Sequence, residues 1–268
     1  MSLEDAGVSR ERALVLHAST KGTGPRIVLV HGFTQSGSSW ARIASDLATS
    51  WKVVSVDLPG HGRTPVPEEG SDILATAGAL ARAGGEAVYV GYSLGGRCCL
   101  HVALENPGLV EKLVLVGAHP GIEDETERRL RREADEELAA GLEQGGDARV
   151  PEFIDTWTKG PLFAHMTDEQ TDRGSRLGNS AVGLAASLKT VGTGAQVPLW
   201  ERLGDLDMPV LVVVGAEDSK FRPIAEKTAE AIGENARLAV VAGAGHAVCF
   251  ERPLDFTALL RQFLDDGA

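Results

Sequence analysis

The sequence predicts an α/β fold: a mostly parallel sheet with helices on both faces and a helical cap set into its later half. Three observations predict it. Short β-branched runs alternate with helical stretches, the pattern of parallel strands buried on both sides. One such run, Ala87-Val88-Tyr89-Val90, breaks at Gly91 and passes through Ser93 into a helical stretch, so a G-x-S-x-G string sits on a strand-to-helix turn. From Gly121 onward, about 80 residues carry helical patterning with no strand signal between them.

In chain order, Ala13 to His17 and Arg26 to Val30 read as two strands joined by the turn-rich segment Ser19 to Pro25, which predicts an opening hairpin. The second strand runs into the loop His31-Gly32-Phe33, at the carboxyl end of a strand, where open α/β sheets place their ligands. A helix from about Ser39 to Thr49 leads to a strand at Lys52–Val56 and the turn Asp57-Leu58-Pro59-Gly60-His61-Gly62. Ile73 to Ala83 is an alanine-rich helix, and Lys112 to Val116 is the next buried strand. The cap follows, placed after the sixth strand. It has a charged helix over Glu123–Glu143 and helical pieces near Glu152–Trp157, Asp168–Leu177, Ser180–Val191 and Pro198–Leu203. Val210 to Val214 and Arg237 to Val241 restore the sheet. The core is thus expected over 1–120 and 204–268 and the cap over 121–203, as one folded unit.

The 268-residue chain is 43% hydrophobic, enough to fill one such core. Its formal charge of -12 repels nucleic acid phosphates and anionic membranes. The acidic start Met1-Ser2-Leu3-Glu4-Asp5 lacks a secretion signal, and no apolar run approaches membrane-spanning length, so a cytoplasmic protein is expected, as a monomer or small homo-oligomer. Cys98, Cys99 and Cys249 lack the spacing of a disulfide framework or zinc site, and no cofactor or metal is expected. Buried thiols are the simplest reading; Cys249, close in sequence to His246, leaves a reactive thiol open.

The G-x-S-x-G turn and the D-x-P-G-x-G turn together resemble the α/β-hydrolase superfamily. The resemblance implies a nucleophile elbow at Ser93 and an oxyanion hole made by the backbone N–H groups of Leu94 and Phe33, with His31 holding its loop and His61 doing no chemistry. A serine hydroxyl needs an imidazole to take its proton, and the imidazole needs an acid to fix its tautomer. In this fold they follow in the order Ser, acid, His. Asp218, after Val210–Val214, and His246, after Arg237–Val241, fall in that order on loops beyond strand ends; Glu217 is the rival acid. These parts do not decide between hydrolysis and elimination.

A narrower resemblance covers nearly the whole chain. Gly91 to Arg97, His119-Pro120-Gly121, Glu127-Arg128-x-x-Arg131 with Asp135, Trp157 before Pro161-Leu162-Phe163, Arg176-x-x-Asn179, Asp218-Ser219-Lys220-Phe221 and Gly245-His246 are together similar to the 2-succinyl-6-hydroxy-2,4-cyclohexadiene-1-carboxylate synthases of menaquinone biosynthesis. That resemblance implies a lyase on a hydrolase fold, in which the serine removes a proton and pyruvate leaves a cyclohexene ring. It implies that Tyr92, Arg97, Arg131, Trp157 and Arg176 line the substrate pocket. The chain departs from the family between Gly62 and Ile73 and at Glu136-Glu137.

An acidic protein that binds a small polycarboxylate needs a local positive field, for which arginine suits by its fork of donors and permanent charge. The competing reading pairs Arg131 with Glu127 or Asp135 at helical spacing, makes Arg129 and Arg132 surface residues, Trp157 cap core and Tyr92 a shaper of the elbow. Two other functions stay open: a serine carboxylesterase or carbon–carbon bond hydrolase, and a non-catalytic binding module.

Overall fold

The computed structural model describes residues 14–67 and 71–266. Seven strands form one sheet in the order β1-β3-β2-β4-β5-β6-β7: β1 Ala18–Lys21, β2 Arg26–Val30, β3 Lys52–Val56, β4 Ala87–Tyr92, β5 Val110–Val116, β6 Val210–Gly215 and β7 Ala236–Val241. All neighbours are parallel except β1 and β3. Among the described residues ten α-helices accompany them: α1 Ala41–Leu47, α2 Ile73–Gly84, α3 Leu94–Glu105, α4 Glu125–Gly145, α5 Val150–Thr158, α6 Arg173–Arg176, α7 Ala181–Val191, α8 Phe221–Ile232, α9 Val248–Glu251 and α10 Pro253–Asp265.

The inner strands are mainly apolar because successive side chains feed two cores. Val28, Val30, Val54, Val56, Leu113, Leu115, Val212 and Val214 join α2 and α3 on one face. Ile27, Leu29, Val53, Val88, Val90, Val114, Leu211 and Val213 join α1 and α10 on the other. A third cluster, with Leu142, Phe153, Ile154, Leu184 and Leu188, ties α4, α5 and α7 together, and Phe33 packs against it.

Four expectations change. The first strand lies at Ala18–Lys21, not 13–17 (Ala13 falls outside the described residues), and the opening hairpin does not form: both edges of β2 are taken by β3 and β4, so β1 pairs antiparallel beyond β3. Helix does not run through Asp168–Leu177, because Asp172 takes φ 52°, and only Arg173–Arg176 is helical. The piece near 198–203 is a 3₁₀ turn over Trp200–Asp205. The helical insertion follows the fifth described strand, not a sixth.

Between β4 and α3, Ser93 has φ 50°, ψ -109°, a strained conformation for a side chain with a Cβ. Glycines allow it. A Cβ on Gly91 would stand 2.5 Å from the Gly95 carbonyl, one on Gly96 2.7 Å from Ala118 Cβ, and one on Gly95 would run into the Val30 and His31 carbonyl oxygens. We expect Gly95→Ala to force α3 away from β2 and to lower stability by more than about 3 kcal/mol or prevent folding. Thermal or denaturant unfolding measures it, and a change of less than about 1 kcal/mol would mean that the helix shifts freely.

Candidate active site

Three loops at the carboxyl ends of strands converge. Ser93 follows β4, Asp218 follows β6 and His246 follows β7. His246 Nδ1 lies 2.9 Å from Asp218 Oδ2, and Nε2 lies 3.3 Å from Ser93 Oγ. With Nδ1–H donated to the carboxylate, Nε2 is left as the acceptor facing the serine hydroxyl. Asp218 is itself fixed, since its Oδ1 accepts from the Phe221 N–H at 3.0 Å. Glu217, the rival acid, is exposed. Gly117, at φ 55°, leaves space for the imidazole: a Cβ there would stand 2.9 Å from His246 Cε1. Phe221 packs over the imidazole with ring centroids 4.3 Å apart.

The histidine loop is held by a residue the sequence reading missed. Buried Glu251, on α9, accepts from the backbone N–H of Gly245 at 2.7 Å and of Ala247 at 2.8 Å, clasping His246 from both sides. Its only sequence signal is an acid five positions after the histidine. Cys249 beside it is fully buried, and burial pushes its thiol well above the usual range, which removes the reactive-thiol reading.

The loop after β2 is braced by neutral histidines. His31 Nε2 accepts from the Leu58 N–H at 3.0 Å, which leaves Nδ1–H to donate to the Gly32 carbonyl at 2.8 Å. His61 repeats the pattern, accepting from the Thr34 N–H and donating to the Pro59 carbonyl. Burial lowers their pKa values to about 4 and about 3. Asp57 binds the Gly37 and Arg63 N–H groups, so the turn after β3 anchors this loop too.

A cavity of about 260 Å³ opens onto Ser93 and His246 and is lined by Phe33 and Leu94, whose backbone N–H groups the sequence assigns to an oxyanion hole. Three of the five residues expected in the pocket reach it. Arg97 is buried, gives one N–H to Gln196 Oε1 at 3.1 Å, and has its pKa lowered to about 10 by burial. Arg131 directs Nε to both Asp135 oxygens at 3.0 and 3.1 Å while also lining the cavity, so the ion pair and the pocket role coexist. Trp157 stands edge-on to Phe33, centroids 5.1 Å apart, and lines the cavity as well as the cap core.

The other two do not line it. Tyr92 is buried among the residues behind His246 and Phe250, against Gly32, as part of the sheet core. Arg176, 1% exposed, turns its guanidinium onto the loop after β2: Nε donates to the Thr171 carbonyl, and another nitrogen to the Phe33 carbonyl at 3.3 Å and to the Thr34 hydroxyl. It braces the Phe33 loop from below the cavity. Sequence reasoning also missed His119 and Lys220 in the lining, although both stand in strings that carried the resemblance. His119 Nδ1 accepts from the Gly121 N–H, so its neutral ring carries the proton on Nε2. Arg129 pairs with Glu133 on an exposed face, whereas Arg132 reaches the Gly194 carbonyl. Among the described residues no group of three or more His, Cys, Asp or Glu is placed to hold a metal.

Residues 25–253 match the family described as the alpha/beta hydrolase fold. A Salmonella heidelberg protein named 2-succinyl-6-hydroxy-2,4-cyclohexadiene-1-carboxylate synthase is 32% identical over 255 residues, covering 92% of this chain and 97% of its own. The structure of MenH from S. aureus superposes with TM-score 0.87 and 28% identity over 93% of this chain and 98% of that one. A malate-bound thermophilic esterase from Thermogutta terrifontis superposes with TM-score 0.77 and 25% identity over 94% and 93%.

The buried imidazoles make stability depend on pH in the acid range. His31, His61, His101 and His119 all have pKa values lowered by burial, to between about 3 and about 4. Each binds its proton more tightly when the chain is unfolded, so its contribution is complete above about 6.5 and is lost as pH falls toward 4. Asp135, raised by burial, acts in the opposite sense but alone. We expect the free energy of unfolding to fall from about pH 7 to about pH 4.5 in denaturant titrations. A flat or rising profile would contradict the neutral state of these rings.

Proposed function

The chain belongs to the α/β-hydrolase fold family and, within it, to the 2-succinyl-6-hydroxy-2,4-cyclohexadiene-1-carboxylate synthases, and from that premise we propose that it is a carbon–oxygen lyase. It eliminates pyruvate from a cyclohexene polycarboxylate in menaquinone biosynthesis. The observation that carries this reading is the wall of the cavity: two arginines from different elements, Arg97 on α3 and Arg131 on α4, face the space in front of Ser93. An ester hydrolase needs the serine and the imidazole but no pair of cations there.

In this mechanism His246 takes the Ser93 proton, Asp218 stabilises the imidazolium, and the serine oxygen removes a proton from a substrate carbon. The electron pair of that C–H bond enters the conjugated system of the substrate. The Phe33 and Leu94 N–H groups hold the oxyanion that develops. The carbon–oxygen bond then breaks and its pair leaves on the oxygen of the enol form of pyruvate, which takes the imidazolium proton from His246 and tautomerises to pyruvate, while a new ring double bond remains. Water is not consumed, and no metal or cofactor takes part. Arg97 and Arg131 hold substrate carboxylates, and Trp157 closes the apolar side. Residues 121–203 act as the cap over a core of 1–120 and 204–268. The enzyme works in the cytoplasm on a small anionic substrate; among the described residues no helix is long and apolar enough to cross a membrane.

The purified protein should release pyruvate from the menaquinone-pathway intermediate without added metal, and Ser93→Ala should lower the rate by at least about 1,000-fold with the fold intact. A coupled pyruvate assay measures both. Turnover of aryl esters through an acyl-serine, with no pyruvate formed, would move the assignment to a carboxylesterase.

The arginines separate the two chemistries. Arg97→Ala or Arg131→Ala removes a charge-assisted hydrogen bond worth about 1.5–3 kcal/mol, a loss of roughly 10- to 150-fold in kcat/KM on the anionic substrate and little on a neutral aryl ester. Arg176→Ala should lower both alike, because it loosens the Phe33 loop. Arg129→Ala, on the exposed face, should change neither. Equal losses on both substrates for Arg97 and Arg131 would make them structural.

A further inference from the structure

Six buried side-chain polar atoms find no hydrogen-bond partner among the described residues: Gln35 Nε2, Trp40 Nε1, both His101 ring nitrogens, Trp157 Nε1 and Ser187 Oγ. Of the residues that carry them, Trp157 and Ser187 line the cavity in front of Ser93, and Ser187 also borders a second, small cavity with Pro59, Val66 and Ser71. Ser187 belongs to no motif. It lies on α7 and is 4% exposed. A serine or threonine inside a helix ordinarily turns its hydroxyl back to the carbonyl four residues earlier. Thr190 does so on the same helix, to the Ala186 carbonyl at 2.9 Å, and Thr158 does so on α5. Ser187 does not. A buried hydroxyl that forgoes the carbonyl within its reach costs stability, and such a group in a native protein calls for a reason.

The surroundings supply one. Ser187 shares the cavity lining with Arg97, Arg131 and Trp157, whose side-chain nitrogens donate and do not accept, and with Asp135, whose carboxylate is taken by Arg131. A hydroxyl joined to that set completes a surface made to meet oxygen atoms that accept. Around it the wall carries the apolar Leu138, Leu188 and Val191, with Thr193 beyond them.

We propose that Ser187 is a further substrate-binding residue, its hydroxyl donating to a carboxylate oxygen of the bound polycarboxylate. This rests on the lyase reading above. The hydrogen bond that Ser187 does not make within the protein is made to the anion, so the residue serves binding at the expense of stability.

The stability cost gives the test its sign. Ser187→Ala deletes an unpartnered buried hydroxyl and nothing else, so the melting temperature should stay the same or rise. Its KM for pyruvate release should rise about tenfold or more while kcat changes little, since the bond is made to the bound anion throughout. Turnover of a neutral aryl ester should be unaffected. Calorimetric titration with the product, 2-succinyl-6-hydroxy-2,4-cyclohexadiene-1-carboxylate, should show the same weakening. A variant that melts lower and loses activity on both substrates alike would make Ser187 structural. A variant with wild-type KM and product affinity would overturn the inference alone. A wild-type protein that neither releases pyruvate nor binds the product would overturn the lyase reading and this inference with it.

Discussion

The close approach of α3 to the sheet is the constraint on which the site rests. Ser93 must be carried at φ 50° between the last residue of β4 and the first of α3, and its N–H is held by the Val116 carbonyl of the neighbouring strand at 2.8 Å. That geometry is reachable because Gly91, Gly95 and Gly96 present no Cβ where backbone from β2, from the start of α3 and from beyond β5 crowds in. The strain, of order 1–3 kcal/mol, is sustained by a fully buried strand and a helix that is buried over most of its length. The helix start then sits beneath the serine, with its unpaired N–H groups aimed at the cavity.

The same helix carries Arg97, the first of the two cations proposed to hold the substrate. Arg97 follows Ser93 by one turn, and its N–H closes the turn onto the Ser93 carbonyl at 3.1 Å. Residues four apart lie on one helix face, so whatever lifts the nucleophile also fixes where the guanidinium stands. Burial would be costly for a charge without partners; one hydrogen bond to Gln196, itself bound to the Pro120 carbonyl, orients the group without neutralising it. Arg131 is handled otherwise. Asp135 takes its Nε, which fixes the side chain from within α4 and leaves the outer nitrogens for a ligand. A chain of net charge -12 thereby keeps a positive patch where an anion must bind.

The legible parts of the fold are those whose signal is local. Lys52–Val56 is legible to the residue because its three valines form a short β-branched run bounded by turn residues, and the serine turn because it needs glycines at fixed offsets. β1 was misplaced because all four of its side chains are exposed and its partner is 35 or so residues away, so burial leaves no pattern in it. Asp218 and His246 could be named from chain order and strand ends. Arg176 could not be placed correctly, since an arginine in a motif string shows neither which way it turns nor that the Phe33 carbonyl and Thr34 hydroxyl are waiting for it. Glu251 and Ser187 were invisible for a related reason: one matters through two backbone N–H groups, the other through a bond it does not make.

A fold shared with an esterase shows how little the fold says about the reaction. A serine, an imidazole and two backbone N–H groups can take a proton from carbon or attack a carbonyl, and an oxyanion develops in either case. What separates the two outcomes is where the reacting atom sits relative to Ser93 Oγ. In the proposed function position is set by the groups that hold the rest of the molecule, Arg97 on α3, Arg131 on α4 and Trp157 on α5, with Phe33 packed against the cluster of α4, α5 and α7. Two anchored carboxylates leave a ring little freedom to rotate, so a carbon-bound proton can be kept over the serine while no ester carbonyl is presented to it. The lyase chemistry thus lies in the spacing between the cations and the nucleophile, and that spacing is built by α3 and α4 rather than by the triad.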